Sequence, residues 1–399
     1  MSEPGVHTRT DDRVHYMDHL RALAMLAGVV FHAALAYSPM LHDLWPTADA
    51  GGSAAIDVAA WALHLFRMPL FFVVAGFFTA LLVERRGLAG LFRTRVVRVL
   101  LPLIVLLPPV LLSLHALTVA AVAHVRHPSP VLAWLADYAR TQGEVPLMPT
   151  LAHLWFLAYL MLFTLLVWVV STLEPSPRLQ AALRAWRPSW PVAVLAPIVL
   201  VPALAATTAP WPAPESPLPQ LWAIAFFGAY FALGYVLWLN PAVLDRLRRP
   251  APLFFIAALA LYAASPWMLG TPRAVPPAPA LHWLDAAVQA FAGFWLTLGC
   301  LIAGRRWLDT ANPAMRWLAD ASYWVYLVHL PLLFALQYRL LDVALPWGAK
   351  FALSSALTLA VSLASYQLLV RHTWLGRWLN GTRPRRAADR SHSGALPGR

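Results

Sequence analysis

The sequence predicts an all-α, polytopic membrane protein with about ten transmembrane helices and both termini in the cytoplasm. Three observations carry this. The 399 residues are 60% hydrophobic and only 12% charged, where a soluble domain carries about 25% charged residues. Mean hydropathy is +0.61. The apolar residues form about ten runs of bilayer-spanning length, and the arginines gather in alternate connections between them.

The expected helices begin near Leu20, Ala54, Val99, Thr150, Pro191, Gln220, Ala251, His282, Ser322 and Ala349. Pro102, Pro108 and Pro109 predict a kinked third helix, tolerable where neighbours satisfy the freed carbonyls. The Pro-rich stretches from Pro210 to Pro219 and from Pro276 to Pro279 read as extended loops. With the N-terminus inside, the second-to-third connection carries Arg85, Arg86, Arg93, Arg95 and Arg98. Later inner connections carry Arg178, Arg184 and Arg187, then Arg246, Arg248 and Arg249, then Arg305, Arg306 and Arg316. The opposite loops hold only Arg126, Arg140 and Arg273. The positive-inside rule therefore places both ends in the cytoplasm. The organisation expected is a polar cytoplasmic segment over 1–16, one transmembrane domain over 17–379 and a disordered basic tail over 380–399. No cleavable leader is expected in the first segment.

Other classes are excluded by the same counts. A net charge of +12 suggests nucleic acid, but these cations sit between apolar runs, so the expected partner is the lipid bilayer and not nucleic acid. A single cysteine, Cys300, rules out an intrachain disulfide framework and a cysteine metal cluster. No His, Asp and Glu set has convincing ligand spacing, so no metal is expected. Nucleophile elbows, phosphate-binding loops and zinc-protease motifs are absent.

Ionisable residues within apolar runs are costly and so mark function. Arg21 and His32 lie eleven residues apart on the first helix, about 16 Å along its axis. One belongs near the cytoplasmic face and the other in the outer half. His64 and Arg67 follow on the second helix, one turn apart on a shared face. Arg67 is too deep to reach an interface easily, so it needs a partner or a polar cavity. His153 opens the fourth helix at the outer surface, and His329 lies within the ninth. A neutral histidine can take a hydroxyl proton, and arginine supplies fixed charge for a phosphate, carboxylate or developing oxyanion.

These residues resemble the acyltransferase-3 family of membrane acyltransferases. The hallmark is Arg followed eleven residues later by His on the first helix, here Arg21 and His32. The run Arg67-Met-Pro-Leu-Phe-Phe72, the segment Arg93-Thr-Arg95-Val-Val-Arg98 ahead of Pro102, His153-Leu-Trp-Phe-Leu, and Ser322 to Pro331 resemble further signatures of its glucan-acylating branch. Together they cover roughly Tyr16 to Arg377. The resemblance implies a bacterial-type inner or plasma membrane O-acyltransferase with no bound cofactor. It would move an acyl group, succinyl or acetyl, from cytoplasmic acyl-CoA to a hydroxyl of an extracytoplasmic glycan. It implies catalytic roles for His32, Arg21 and Arg67, with His32 as base or transient acyl carrier. Arg93, Arg95, Arg98, His64, His153 and His329 would bind substrate, unless the three loop arginines serve topology alone. The competing expectation is a transporter or flippase for a glycan or lipid, which the lack of visible repeats disfavours.

Overall fold

The computed structural model describes residues 14–173, 177–186, 190–265 and 278–381. These residues form helices and connecting loops without a strand. Apart from residues 14–16, 380 and 381, the expected N-terminal segment and basic tail lie outside them, as do Arg178's side chain, Arg187 and Arg273. In chain order the helices are α1 His15–Leu35, α2 Ala54–Arg95, α3 Leu101–His124, α4 Pro130–Gln142, α5 Trp155–Leu173, α6 Pro177–Ala185, α7 Trp190–Leu195, α8 Val201–Ala205, α9 Leu221–Leu239, α10 Ala242–Arg246, α11 Ala251–Ala263, α12 Pro279–Trp307, α13 Pro313–Leu341, α14 Trp347–Ser365 and α15 Trp374–Asn380.

Seven helical stretches among the described residues are long and apolar enough to cross a membrane: His15–Leu35, Ala54–His124, Ala152–Leu173, Leu221–Leu239, Pro279–Trp307, Pro313–Leu341 and Trp347–Val370. Trp190–Ala205 and Ala251–Ala263 are apolar but shorter. The chain is a multi-pass α-helical membrane protein. The main difference from expectation lies between α2 and α3. The Arg-rich connection is helical on both sides of Gly87, and α2 runs through the π-helical turn 96–100 into α3. The reversal comes instead at Gly87, whose φ of +66° breaks the helix. A straight helix would hold residues 79 and 95 about 24 Å apart, yet an Arg95 Nη donates to Thr79 Oγ1 at 2.7 Å. Only a chain folded back at residue 87 allows that bond.

Local sequence sets the other boundaries. Ser53 caps α2 through the Ala55 N–H, and Ser129 caps α4 through the Leu132 N–H with Pro130 in the first turn. Asn312 accepts from the N–H groups of Ala314 and Met315 at the start of α13. Gly143, at φ +87°, closes α4 in the left-handed conformation.

The core is built around α1, α2, α9, α12 and α13. The closest helix approach is α2 against α9. A Cβ on Gly76 would fall on the Phe231 carbonyl, and one on Gly234 would fall on the Val73 carbonyl. Small residues give this contact its reach, because lipid tails offer no apolar driving force to bring helices together. Gly234→Leu is therefore expected to push α2, and with it Arg67, away from the core. Its expected readout is loss of the monodisperse, thermally cooperative detergent-solubilised protein, whereas Gly228→Ala, where an added Cβ meets only the Phe163 ring at 3.4 Å, should behave as wild type.

The basic segments meet at one end of the bundle. Arg184 pairs with Glu84, Arg305 pairs with Asp245, Tyr16 N–H reaches Asp309, and Trp378 donates to the Val97 carbonyl. At the other end lie the buried Lys350–Asp49 ion pair at 2.6 Å, Thr47 donating to Gln337, and Ser129 donating to the Pro46 carbonyl. There too Asp342 ends α13; the backbone N–H groups of Arg126 and His127 hold its carboxyl below the ordinary range.

Candidate active site

The site lies toward the second of these ends, where α1, α2 and α13 converge with the turn before α5. His32 is the eighteenth residue of the 21-residue α1. Its Nδ1 lies 2.8 Å from Nε2 of His329, 297 residues away in sequence, and the two rings meet edge to edge, their planes within 9° of parallel and their centroids 5.1 Å apart. His329 Nδ1 is 2.7 Å from the carbonyl oxygen of Tyr326, one turn back on α13. Tyr326 Oη donates in turn to the carbonyl of His153 at 2.8 Å. The His153 ring stands edge-on to His329, with centroids 4.9 Å apart. His153 is buried, and among the described residues neither of its ring nitrogens has a hydrogen-bond partner.

Arg67 closes the other side. Its guanidinium lies over the Phe31 ring, 4.4 Å from the centroid. An Nη sits 2.8 Å from where a Gly28 Cβ would be, so a residue without a side chain lets it lie against α1. Arg67 is 6% exposed, and among the described residues it makes neither an ion pair nor a hydrogen bond. A buried cation without an acid is costly, since desolvation in a low-dielectric interior amounts to several kcal/mol per ion.

His64 sits one turn before Arg67, and its ring also lies against Phe31, with centroids 5.4 Å apart and 22° between the planes. Its Nε2–H donates to the Trp211 carbonyl at 2.8 Å, and the Trp211 ring lies 3.7 Å away. Trp211 is held by its own N–H, which donates to Gln289 Oε1 of α12 at 2.9 Å. The Pro-rich segment expected as an extended loop thus carries a 1%-exposed tryptophan into the bundle and covers His64. Among the described residues the charged and titratable groups that act on His32 are His329, Arg67, His153 and His64, with no carboxylate among them. Among the described residues no group of three or more His, Cys, Asp or Glu side chains is arranged to hold a metal ion.

The remaining sequence candidates lie elsewhere. Arg21 pairs with Asp18 at 3.2 Å and donates to the Ala319 carbonyl at 3.4 Å, near the basic end and about 16 Å along α1 from His32. The eleven-residue spacing therefore joins two regions and does not form one contact. Arg95 bonds Thr79 and the Ala75 carbonyl, Arg98 lies against Gly381, and Arg93 is exposed. Tyr323 spans the interval. Its hydroxyl donates to the Arg98 carbonyl, and its ring stacks on Tyr326 at 6.4 Å. A polar file thus runs from Arg95 and Arg98 through Tyr323 and Tyr326 to Arg67 and His32. Sequence reasoning did not select Tyr326, Phe31, Gly28 or Trp211. Only Tyr326 had a usable signal, three residues before His329 on one helical face.

Residues 14–367 match the acyltransferase-3 family, whose model is described as an acyltransferase domain. Across 338 residues the chain is 26% identical to glucans biosynthesis protein C of Salmonella schwarzengrund (strain CVM19633), covering 80% of this chain and 82% of that protein. It is 25% identical over 338 residues to the protein of that name from Salmonella typhi, with the same coverage. Over 345 residues it is 26% identical to that of Salmonella paratyphi B (strain ATCC BAA-1250 / SPB7), again at 80% and 82%. No solved structure matches the chain. The family match over most of the length, together with the spanning helices and the His and Arg cluster, establishes that the chain belongs to the acyltransferase-3 family and is a multi-pass membrane acyltransferase.

Proposed function

We propose that the protein takes an acyl group from cytoplasmic acyl-CoA at its basic end and transfers it to a hydroxyl of an extracytoplasmic glycan at the His32 end. Both termini then face the cytoplasm, in a bacterial-type inner or plasma membrane. One observation carries this reading: Arg67, a buried cation, lies beside His32 and among the described residues makes neither an ion pair nor a hydrogen bond. Such a cation is poised for an anion that only the reaction supplies.

The chemistry follows from the groups present. The acceptor hydroxyl gives its proton to His32 as its oxygen bonds the thioester carbonyl carbon. The carbonyl oxygen becomes an oxyanion, which Arg67 stabilises with donors already aimed and desolvated. The C–S bond then breaks, and the departing thiolate takes the proton back from His32. Arg93, Arg95, Arg98 and Arg21 would hold the donor's phosphates at the basic end, and the Tyr323–Tyr326 file would lead the acyl arm inward. His64 and His153 would border the acceptor. The names of the Salmonella relatives favour a glucan acceptor, and succinyl and acetyl donors both suit an arginine-lined site.

The test is vectorial transfer. Purified protein in proteoliposomes receives radiolabelled succinyl- or acetyl-CoA on the outside, with glucan oligosaccharide sealed in the lumen. The fraction with its basic end outward is expected to release free CoA outside and to form alkali-labile glucan ester inside, seen by mass spectrometry. Luminal glucan that stays unesterified while label or glycan crosses the membrane would place the protein among carriers instead.

A further inference from the structure

We propose that His329 is the positioning residue for His32: it fixes which nitrogen of His32 carries the proton and leaves Nε2 free to act. The inference rests on His32 being the base and specifies how that base is prepared.

The Tyr326 carbonyl can only accept, so His329 Nδ1, 2.7 Å away, carries a hydrogen. His329 is 3% exposed, with Arg67 in the same cluster and no carboxylate there. A second proton on its ring would place an uncompensated charge in that setting, which burial opposes. His329 therefore presents a lone pair at Nε2. Across the 2.8 Å contact, His32 Nδ1 must donate. The lone pair of His32 is then at Nε2, which has no protein partner among the described residues, and His32 as a residue is only partly buried. When Nε2 takes the hydroxyl proton, the imidazolium keeps its Nδ1–H on the His329 lone pair, and the Tyr326 carbonyl dipole supports the chain from behind. An acid normally fills this orienting place. Here a neutral ring does so, which avoids a carboxylate that would neutralise Arg67.

Tyr326 is itself pinned. Its hydroxyl donates to the His153 carbonyl, and its ring stacks on Tyr323. The relay Tyr326–His329–His32 thus hangs on a tyrosine fixed at both ends.

The experiment compares wild type, His329→Leu, His329→Gln and His32→Gln in detergent or nanodiscs. It measures kcat, the KM for acyl-CoA, and the 15N spectrum of histidine-labelled protein, with His32 assigned by its loss in His32→Gln. His329→Leu removes the acceptor; kcat is expected to fall about 10²–10⁴-fold, as when an orienting partner of a catalytic histidine is lost, with KM within about twofold because the donor-binding end is remote. The His32 signal is expected to be the Nδ1–H tautomer in wild type and to mix or invert in His329→Leu. His329→Gln can place an amide oxygen where Nε2 stood, so it should regain at least about tenfold in kcat and the wild-type tautomer. Unchanged kcat in His329→Leu, or a wild-type His32 protonated at Nε2, overturns the proposal. If His329→Leu does not fold, the wild-type tautomer and the Gln variant decide it. Full activity in His32→Gln would instead sink the base reading itself, a result separable from failure of His329→Leu alone.

Discussion

Replacing His32 with glutamine is expected to cut acyl transfer by about 10²–10⁴-fold, the range a positioned general base contributes. Glutamine keeps a polar group near the His329 Nε2, which alanine would leave as a buried unsatisfied acceptor at a cost of about 1–3 kcal/mol. It cannot act as a base. Acyl-CoA binding should survive, because Arg21, at the basic end, lies about 16 Å from His32 along α1. The measurement is single-turnover transfer from labelled acyl-CoA, paired with equilibrium binding of a non-hydrolysable donor analogue. Loss of transfer with donor binding retained is the expected pattern. Transfer at the wild-type rate removes His32 from the chemistry. If His32 instead carries the acyl group covalently, mass spectrometry of quenched wild-type protein would find the acyl adduct on that residue.

The contrast between His32 and Arg21 shows what the sequence can and cannot convey. Hydropathy located the spans, because apolar runs must be about bilayer length, and depth alone marked Arg67 as a residue needing an explanation. Spacing along one helix gives axial distance only. It placed Arg21 and His32 correctly apart but could not reveal that Arg21 turns to Asp18 and Ala319, or that His32 meets a ring 297 residues away. Such contacts depend on helix rotation and crossing, which α1, α2 and α13 settle among themselves by packing. The Arg85–Arg98 stretch reads as a connection because its arginines interrupt the apolar runs. It is helical because only Gly87 breaks the pattern, and exposed arginines are good helix formers. The Pro-rich 210–219 segment was read as a loop correctly, but composition says nothing about Trp211 reaching inward to cover His64.

Replacing Arg67 with methionine is expected to move stability and activity in opposite directions. The guanidinium is buried, unpaired among the described residues, and lies over the Phe31 face and against Gly28. Methionine fills comparable space without the charge, so the desolvation cost disappears. The Tm, followed by intrinsic tryptophan fluorescence in detergent, should stay level or rise. Meanwhile kcat should fall about 10²–10³-fold, the usual consequence of deleting one preorganised oxyanion donor. Arg67→Lys keeps the charge but loses the planar fork and its stacking on Phe31, so it should regain only part of the rate while forfeiting the gain in Tm. A residue kept for structure would show the reverse: a lower Tm in the methionine variant with transfer intact. The opposing signs are what a buried charge reserved for a transient anion requires, because its cost is carried in every resting molecule and repaid only when the thioester carbonyl becomes an oxyanion.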